Sequence, residues 1–399
     1  MVYPGSCLND TLFLQYTRWA IVDFRIKRGI NISHWLTDRW LSDYRRHAYI
    51  TRRDLTYISE FGFDHVRIPI AERTMWSEST ERNEEAFALL RAGIGWALAK
   101  GLRVIVNLYS LRSHQPVNLT NQRLFGSPAE EERFEWIWSD LSNYLGSYSN
   151  ELVAYELLNE PLAKEDSDWN RVFLRAYQRI RQKEPDRTIL LGSNCHQIPQ
   201  FDGLSIPSGD PNIILTFHFY YPFLLTHHRA EWISEVQYMG PVDYPGRPVP
   251  KDSLDSLQEP VRSHVEQSNR PFNLHVIRQS LETVLKTRDR TGLVVHCGEF
   301  GCIDNVALET RKRWCRDVIS NFDQLDVPWS YWDWKSSFGI LDQNTWRPSG
   351  VHPALGLEES TRKRWQEPLN VDFRSRATRF ARRLLRLSLF RPWYFRKQR

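Results

Sequence analysis

The chain has 399 residues, 41% hydrophobic and 25% charged, enough for one large barrel or two ordinary domains, which excludes global disorder. Its net charge of +5 is uneven: residues 374–399 hold ten Lys or Arg and no acid, leaving a body at net −5 and excluding a nucleic-acid-binding domain with a basic face. The five cysteines (Cys7, Cys195, Cys297, Cys302, Cys315) form no CxxC pair, so neither a disulfide framework nor a zinc site is suggested.

Near the N-terminus, Arg18 and Asp23 interrupt the apolar stretch from Leu12 to Phe24, so no signal peptide or membrane span is read there. A cytoplasmic protein is the default expectation, with membrane-peripheral attachment or unusual export as alternatives. Strand-like runs then alternate with helical patterns. The first is Phe24–Asn31, with a helix near Arg52–Phe61. The second is Phe63–Pro69, followed by a helix over Glu84–Lys100 that places Phe87, Leu90, Ile94 and Leu98 on one face. The third is Leu102–Leu108, with a helix near Glu130–Leu145. A fourth runs from Val153 to Asn159-Glu160 and stops at Pro161, which has no N–H to donate; a helix follows near Trp169–Gln182. Thr188–Leu191 and Ile213–His218 are the fifth and sixth. A helix near Leu274–Thr287 precedes the seventh, Leu293–Glu299, and one near Asn305–Phe322 precedes the eighth, Pro328–Trp332. Eight such alternations predict a single α/β domain, a closed (β/α)8 TIM barrel over residues 1–373, with its chemistry at the C-terminal ends of the strands.

Two glutamates fall at those ends. Glu160 ends one apolar run, and Glu299, between Gly298 and Gly301, ends another. A carboxyl at the mouth of a buried strand is costly to place and invites a functional explanation. A pair of them is what acid-assisted cleavage of a glycosidic bond needs. The 16 Trp, 16 Tyr and 20 Phe fit a large aromatic core equally well as a cleft that stacks on flat ligand faces. The stretch from Tyr221 to Pro271 is too long for an ordinary connection and reads as a lid or cleft wall. His227 and His228 lack the carboxylate spacing of a zinc-type site, so they are not expected to bind a metal. In the tail, Ala377, Phe380, Ala381, Leu384 and Leu387 recur at helical spacing among arginines. That suits a helix packed on the barrel with a solvated basic face, or a surface for anionic lipid or acidic polymer.

In order along the chain, Arg28-Gly29-Ile30-Asn31, Val66-Arg67-Ile68-Pro69, Leu158-Asn159-Glu160-Pro161, His218-Phe219-Tyr220, Gly298-Glu299-Phe300-Gly301 and Tyr331-Trp332 resemble the strand-end motifs of glycoside hydrolase family 5, the cellulase family. The resemblance implies a retaining mechanism on β-linked sugars, without metal or cofactor. Glu299 would be the nucleophile and Glu160 the acid/base, its pKa raised while Glu299 stays ionised beside Arg67. Asn159 would bind the sugar 2-hydroxyl, Tyr220 would donate to the nucleophile, and His218 would contact the sugar or the acid/base. Trp332 would be the stacking floor, with Trp334 pointing the same way along a strand and Asp333 the opposite way. Trp35 completes the candidate sugar-binding set.

The third strand departs from the family's Asp-Leu-His ending: Asn107 and Tyr109 stand at the Asp and His positions, and His114 is a candidate to reach the cleft instead. An altered substrate preference or a lower rate is the expectation. The substrate expected is a β-linked poly- or oligosaccharide, with an endo-β-1,4-glucanase as the leading reading. β-Mannanase, β-1,3-glucosidase, transglycosylase or a non-catalytic carbohydrate-binding barrel are the alternatives. A monomer is expected, with no nucleic-acid partner.

Overall fold

The computed structural model describes residues 21–37, 43–116, 122–194, 199–233, 238–342 and 347–357. The basic tail, Cys7 and Cys195 lie outside the described residues. Eight parallel strands close into a barrel in sequence order: β1 (Arg28–Asn31), β2 (His65–Ala71), β3 (Arg103–Ser110), β4 (Val153–Glu156), β5 (Ile189–Gly192), β6 (Ile213–Phe219), β7 (Val294–Phe300) and β8 (Trp329–Tyr331). Closure is the pairing of β1 with β8, in which Gly29 is opposite Ser330 and Ile30 opposite Tyr331. No described helix is long and apolar enough to cross a membrane.

The helices bury an apolar stripe, and some of them start at a side-chain cap. Helix α1 (Arg52–Glu60) starts at a capping box between Thr51 and Asp54, and α2 (Glu84–Leu98) starts where the Asn83 side chain accepts from the Ala86 N–H. Phe87, Leu90 and Ile94 of α2 are buried against the barrel, but Leu98 is not. Helices α3 (Pro128–Leu145) and α4 (Asp166–Lys183) follow β3 and β4, α3 with Pro128 in its first turn where no donor is needed. The helix expected near Leu274–Thr287 is two, α5 (Leu274–Ser280) and α6 (Glu282–Thr291), broken at Leu281; α7 (Leu308–Gln324) completes the set.

Three expectations shift. β1 begins at Arg28, because Phe24 and Ile26 leave the sheet and pack with Ile105, Ala154, Leu190 and Ile214 inside the barrel. No helix forms over residues 199–212 between β5 and β6, where Pro207, Gly209 and Pro211 break the backbone pattern. The long segment after β6 carries the short helices Phe223–Thr226, Lys251–Asp255 and Val261–Ser268. Its far part is fastened to α7: the Tyr244 hydroxyl donates to Asp317 (2.6 Å) and Arg313 pairs with Asp243 (2.5 Å).

Candidate functional site

The site is assembled around Arg67, which rises from the middle of β2 and is fully buried. A guanidinium has five N–H donors, and here all five are used. Nε and Nη2 grip the two oxygens of Glu156 at 2.6 and 2.8 Å; Nη2 also donates to Asn159 Oδ1 (2.8 Å); Nη1 donates to Asn31 Oδ1 (2.8 Å) and to Glu299 Oε1 (2.7 Å). Burial alone would weaken its charge, but Glu156 and Glu299 outweigh that and hold its pKa well above the usual value. Asn31 is braced in turn, its amide donating to Gly298 O of β7 (3.0 Å) and to Tyr331 O of β8 (3.2 Å).

Glu299 ends β7. Its second oxygen accepts from the Tyr220 hydroxyl at 3.1 Å. Burial, then the charges of Glu299 and Glu160, hold the Tyr220 phenol well above its usual pKa, so it remains a donor. Glu160 lies four residues past the end of β4, in a left-handed backbone conformation (φ 44°), where Asn159 N–H donates to Leu108 O (2.9 Å). Such a φ is uncommon for a residue with a Cβ and is a feature of held, functional turns. His218 Nδ1 is 2.8 Å from Glu160 Oε1 and 3.5 Å from Glu299 Oε2. Burial, with Arg67 nearby, pushes the His218 pKa well down and keeps the ring neutral.

Ligating atoms of Glu160, His218 and Glu299 all lie within 4.8 Å of one another. That is short for an inverting pair, which needs about 6.5–9.5 Å to admit a water, and suits a retaining pair. The trio could hold a cation by spacing alone, but the Arg67 guanidinium already supplies positive charge to Glu299. His227 and His228 are not part of it; His227 stacks on Phe223 and edges against Tyr220.

Burial pushes the Glu299 carboxyl up, Arg67 pulls it down, and the Glu160 charge pushes it up again, to about 8. An upward shift thus falls on Glu299, which was expected to stay ionised beside Arg67 and is the more deeply buried of the two acids. Arg67 and Tyr220 donate to Glu299, so the ionised form of the pair is best solvated with the charge there.

Of the sequence-derived candidates, Arg67, Asn159, Glu160, His218, Tyr220 and Glu299 meet in this cluster. The Asn159 amide nitrogen is buried without a partner among the described residues, which leaves its N–H groups for a ligand. Trp332 and Tyr109 lie at the same mouth, their rings 14° from parallel and 5.9 Å apart. Asn107, two residues earlier on β3, is buried with neither side-chain polar atom partnered among the described residues.

Two candidates do not reach the cleft. Trp35 is fully buried, donates its indole N–H to Arg46 O (2.9 Å) and presses on Gly93 of α2 so closely that a Cβ there would sit 2.6 Å from its ring. His114 is buried too; its Nε2 faces Glu160 O (3.0 Å) and its Nδ1 faces Gln122, so it props the Glu160 turn from behind. The alternation expected through Trp334 fails because β8 ends at Tyr331: Trp334 is buried and donates to Asp54 (2.9 Å). Asp333 is buried between Ser33 and Ser336, and burial raises it to about 7. Sequence reasoning gave no role to Glu156 or Asn31. The signal for Glu156 was a carboxylate inside the apolar run of β4, four residues before Glu160.

Comparison with known proteins follows the same outline. Residues 25–338 match the family model for cellulase (glycosyl hydrolase family 5). Endoglucanase C of Acetivibrio thermocellus is 28% identical over 331 residues, covering 80% of this chain and 94% of that one. Among solved structures, Cel5A of Thermotoga maritima in complex with cellobiose superposes with a TM-score of 0.66 at 25% identity, over 83% of this chain and 97% of that one. Cellulose synthase subunit Z of Clostridioides difficile gives 0.67 at 24%, over 83% and 99%.

Proposed function

The chain belongs to glycosyl hydrolase family 5, a cellulase-like glycoside hydrolase acting on poly- or oligosaccharide, and from that premise we propose that it is a retaining endo-β-1,4-glucanase working through Glu299 and Glu160. The observation that carries the reading is the facing carboxyl pair, with both Arg67 and Tyr220 donating to Glu299. The glucan assignment draws on the similarity to an endoglucanase and to a structure holding cellobiose.

In the first step Glu299 Oε attacks the anomeric carbon while Glu160 gives its proton to the departing glycosidic oxygen. The carbon–oxygen bond to the leaving sugar breaks and a covalent glycosyl ester forms on Glu299. In the second step Glu160, now ionised, takes a proton from water; the hydroxide equivalent displaces Glu299, and the starting protonation is restored. Arg67 and Tyr220 donate to Glu299, aiming it and favouring its charged form against the burial that raises its pKa. The free Asn159 amide is placed to bind the 2-hydroxyl, a contact that strengthens in the oxocarbenium-like transition state. His218 orients Glu160, and Trp332 offers its face to the sugar ring.

The test is reducing-sugar release from soluble β-glucans, mannan and xylan, with Glu299→Gln alongside. Release from β-1,4-glucan that the variant loses is the expected result. Release only from mannan or xylan would correct the substrate, and no release from folded protein would favour a carbohydrate-binding barrel.

A further inference from the structure

Glu156 is a buried carboxylate that the two-step chemistry does not consume. It faces inward at the end of β4, 1% exposed, and among the described residues Arg67 is its only hydrogen-bond partner. The two bonds at 2.6 and 2.8 Å run side by side along one edge of the guanidinium, a geometry that fixes the plane of the group as well as its position. With the other three N–H groups committed to Asn31, Asn159 and Glu299, the guanidinium cannot turn without giving up the Glu156 grip.

Charge matters as much as aim. One cation serves two carboxylates, and Glu156 takes two of its bonds where Glu299 takes one. A cation that bore wholly on Glu299 would stabilise the resting carboxylate more than the transition state, in which that charge is being neutralised, and so would slow attack. The Glu156 charge also lifts the Glu299 carboxyl, adding to burial and to Glu160.

We propose that Glu156 is a positioning residue for the reaction: its two-point grip aims Arg67 at Glu299 and diverts part of the Arg67 charge, leaving the nucleophile basic enough to attack. The proposal rests on the reading of Glu299 as nucleophile. A merely structural ion pair would support β2 against β4 without tuning Glu299.

The test follows the Glu299 carboxyl by infrared titration in the full chain, with its band assigned by disappearance in Glu299→Gln. Removing one negative charge in Glu156→Gln should lower the Glu299 midpoint by about one pH unit or more, whereas Glu156→Asp should hold it within about 0.3 unit of wild type. In parallel, kcat/KM is measured against pH with 2,4-dinitrophenyl β-cellobioside, whose leaving group needs no proton from Glu160. Its acidic limb should move with the infrared midpoint in Glu156→Gln, kcat should fall at least about tenfold, and KM should change less than about threefold.

An unmoved midpoint in folded Glu156→Gln, or equal displacement by Asp and Gln, would overturn the proposal. Should Glu156→Gln not fold, Glu156→Asp decides. A wild-type midpoint with kcat reduced several-fold supports the positioning role, and full kcat overturns it. A wild-type protein inactive on the cellobioside would instead refute the glucanase reading, while the infrared titration would still report on Glu156.

Discussion

The ring of Tyr109 lies 14° from parallel to that of Trp332, with their centroids 5.9 Å apart, at the mouth where Glu160 and Glu299 meet. Burial, followed by the charges of Glu299 and Glu160, raises the Tyr109 pKa far above its ordinary value, so the group presents a neutral O–H to the cleft. Its aromatic face steadies Trp332 while its hydroxyl is available to a sugar. Tyr109→Phe should therefore lower kcat/KM on cellotetraose about tenfold, as the loss of one hydrogen bond made in the transition state predicts, with thermal stability unchanged. Tyr109→His should alter the ratio of glucan to mannan activity by at least about threefold. An unchanged ratio would remove Tyr109 from the specificity determinants.

Acid assistance by Glu160 has a signature in the leaving group. Glu160→Gln should lose about 10²–10⁴-fold in kcat/KM on cello-oligosaccharides, whose alkoxide leaves poorly. On dinitrophenyl β-cellobioside the first step should survive and the glycosyl ester accumulate, visible as a burst of dinitrophenol. Glu299→Gln should show neither the burst nor turnover on either substrate. Equal losses from Glu160→Gln on both substrates would count against the acid role.

Stability carries its own pH signature. The Glu299 pKa is raised in the folded chain from an unfolded value near 4.5 to about 8. Between those values the folded state holds the proton more tightly than the unfolded one, so this contribution is complete below the lower value and is lost as pH rises through the upper one. Glu299→Gln cannot ionise and should therefore gain stability relative to wild type as pH climbs from 5 to 9, by a total on the order of 1–3 kcal/mol for a charge-coupled site. Chemical denaturation of both proteins at four pH values measures the difference. A constant gap across that range would mean that Glu299 titrates normally.

Trp35 offers a control that separates packing from chemistry. Its ring fills the space over Gly93 and its N–H is satisfied by Arg46. Trp35→Ala should cost about 3–5 kcal/mol of folding stability through the cavity it leaves. The KM of the surviving folded fraction should not change, whereas a raised KM would return Trp35 to the sugar-binding set.

The barrel was readable because each strand is a short apolar run closed by a polar break, and because helix caps such as Asn83 and Thr51 punctuate the intervals. The facing carboxyl pair drew notice for a related reason: a carboxylate at the end of an apolar strand has no core role to explain it. His114 and Trp35 were misplaced because sequence gives the strand a residue follows but not the direction its loop takes. The turn at Glu160, with its positive φ, puts a backbone carbonyl where His114 reaches, and no pattern announces that. Glu156 escaped notice because its partner Arg67 is 89 residues away, and only closure of the barrel brings them together.

Phe24 and Ile26, outside the sheet yet packed on Ile105, Ala154, Leu190 and Ile214, act as a cork in the end of the barrel opposite Glu160 and Glu299. Val22 is tied down beside them by its N–H bond to Asn212 Oδ1 (2.9 Å). An expression variant trimmed to the first paired residue, Arg28, would keep every strand and every active-site side chain. It would nevertheless admit water to the inward layer beneath Arg67, where an ion cluster that depends on dryness would be wetted from below.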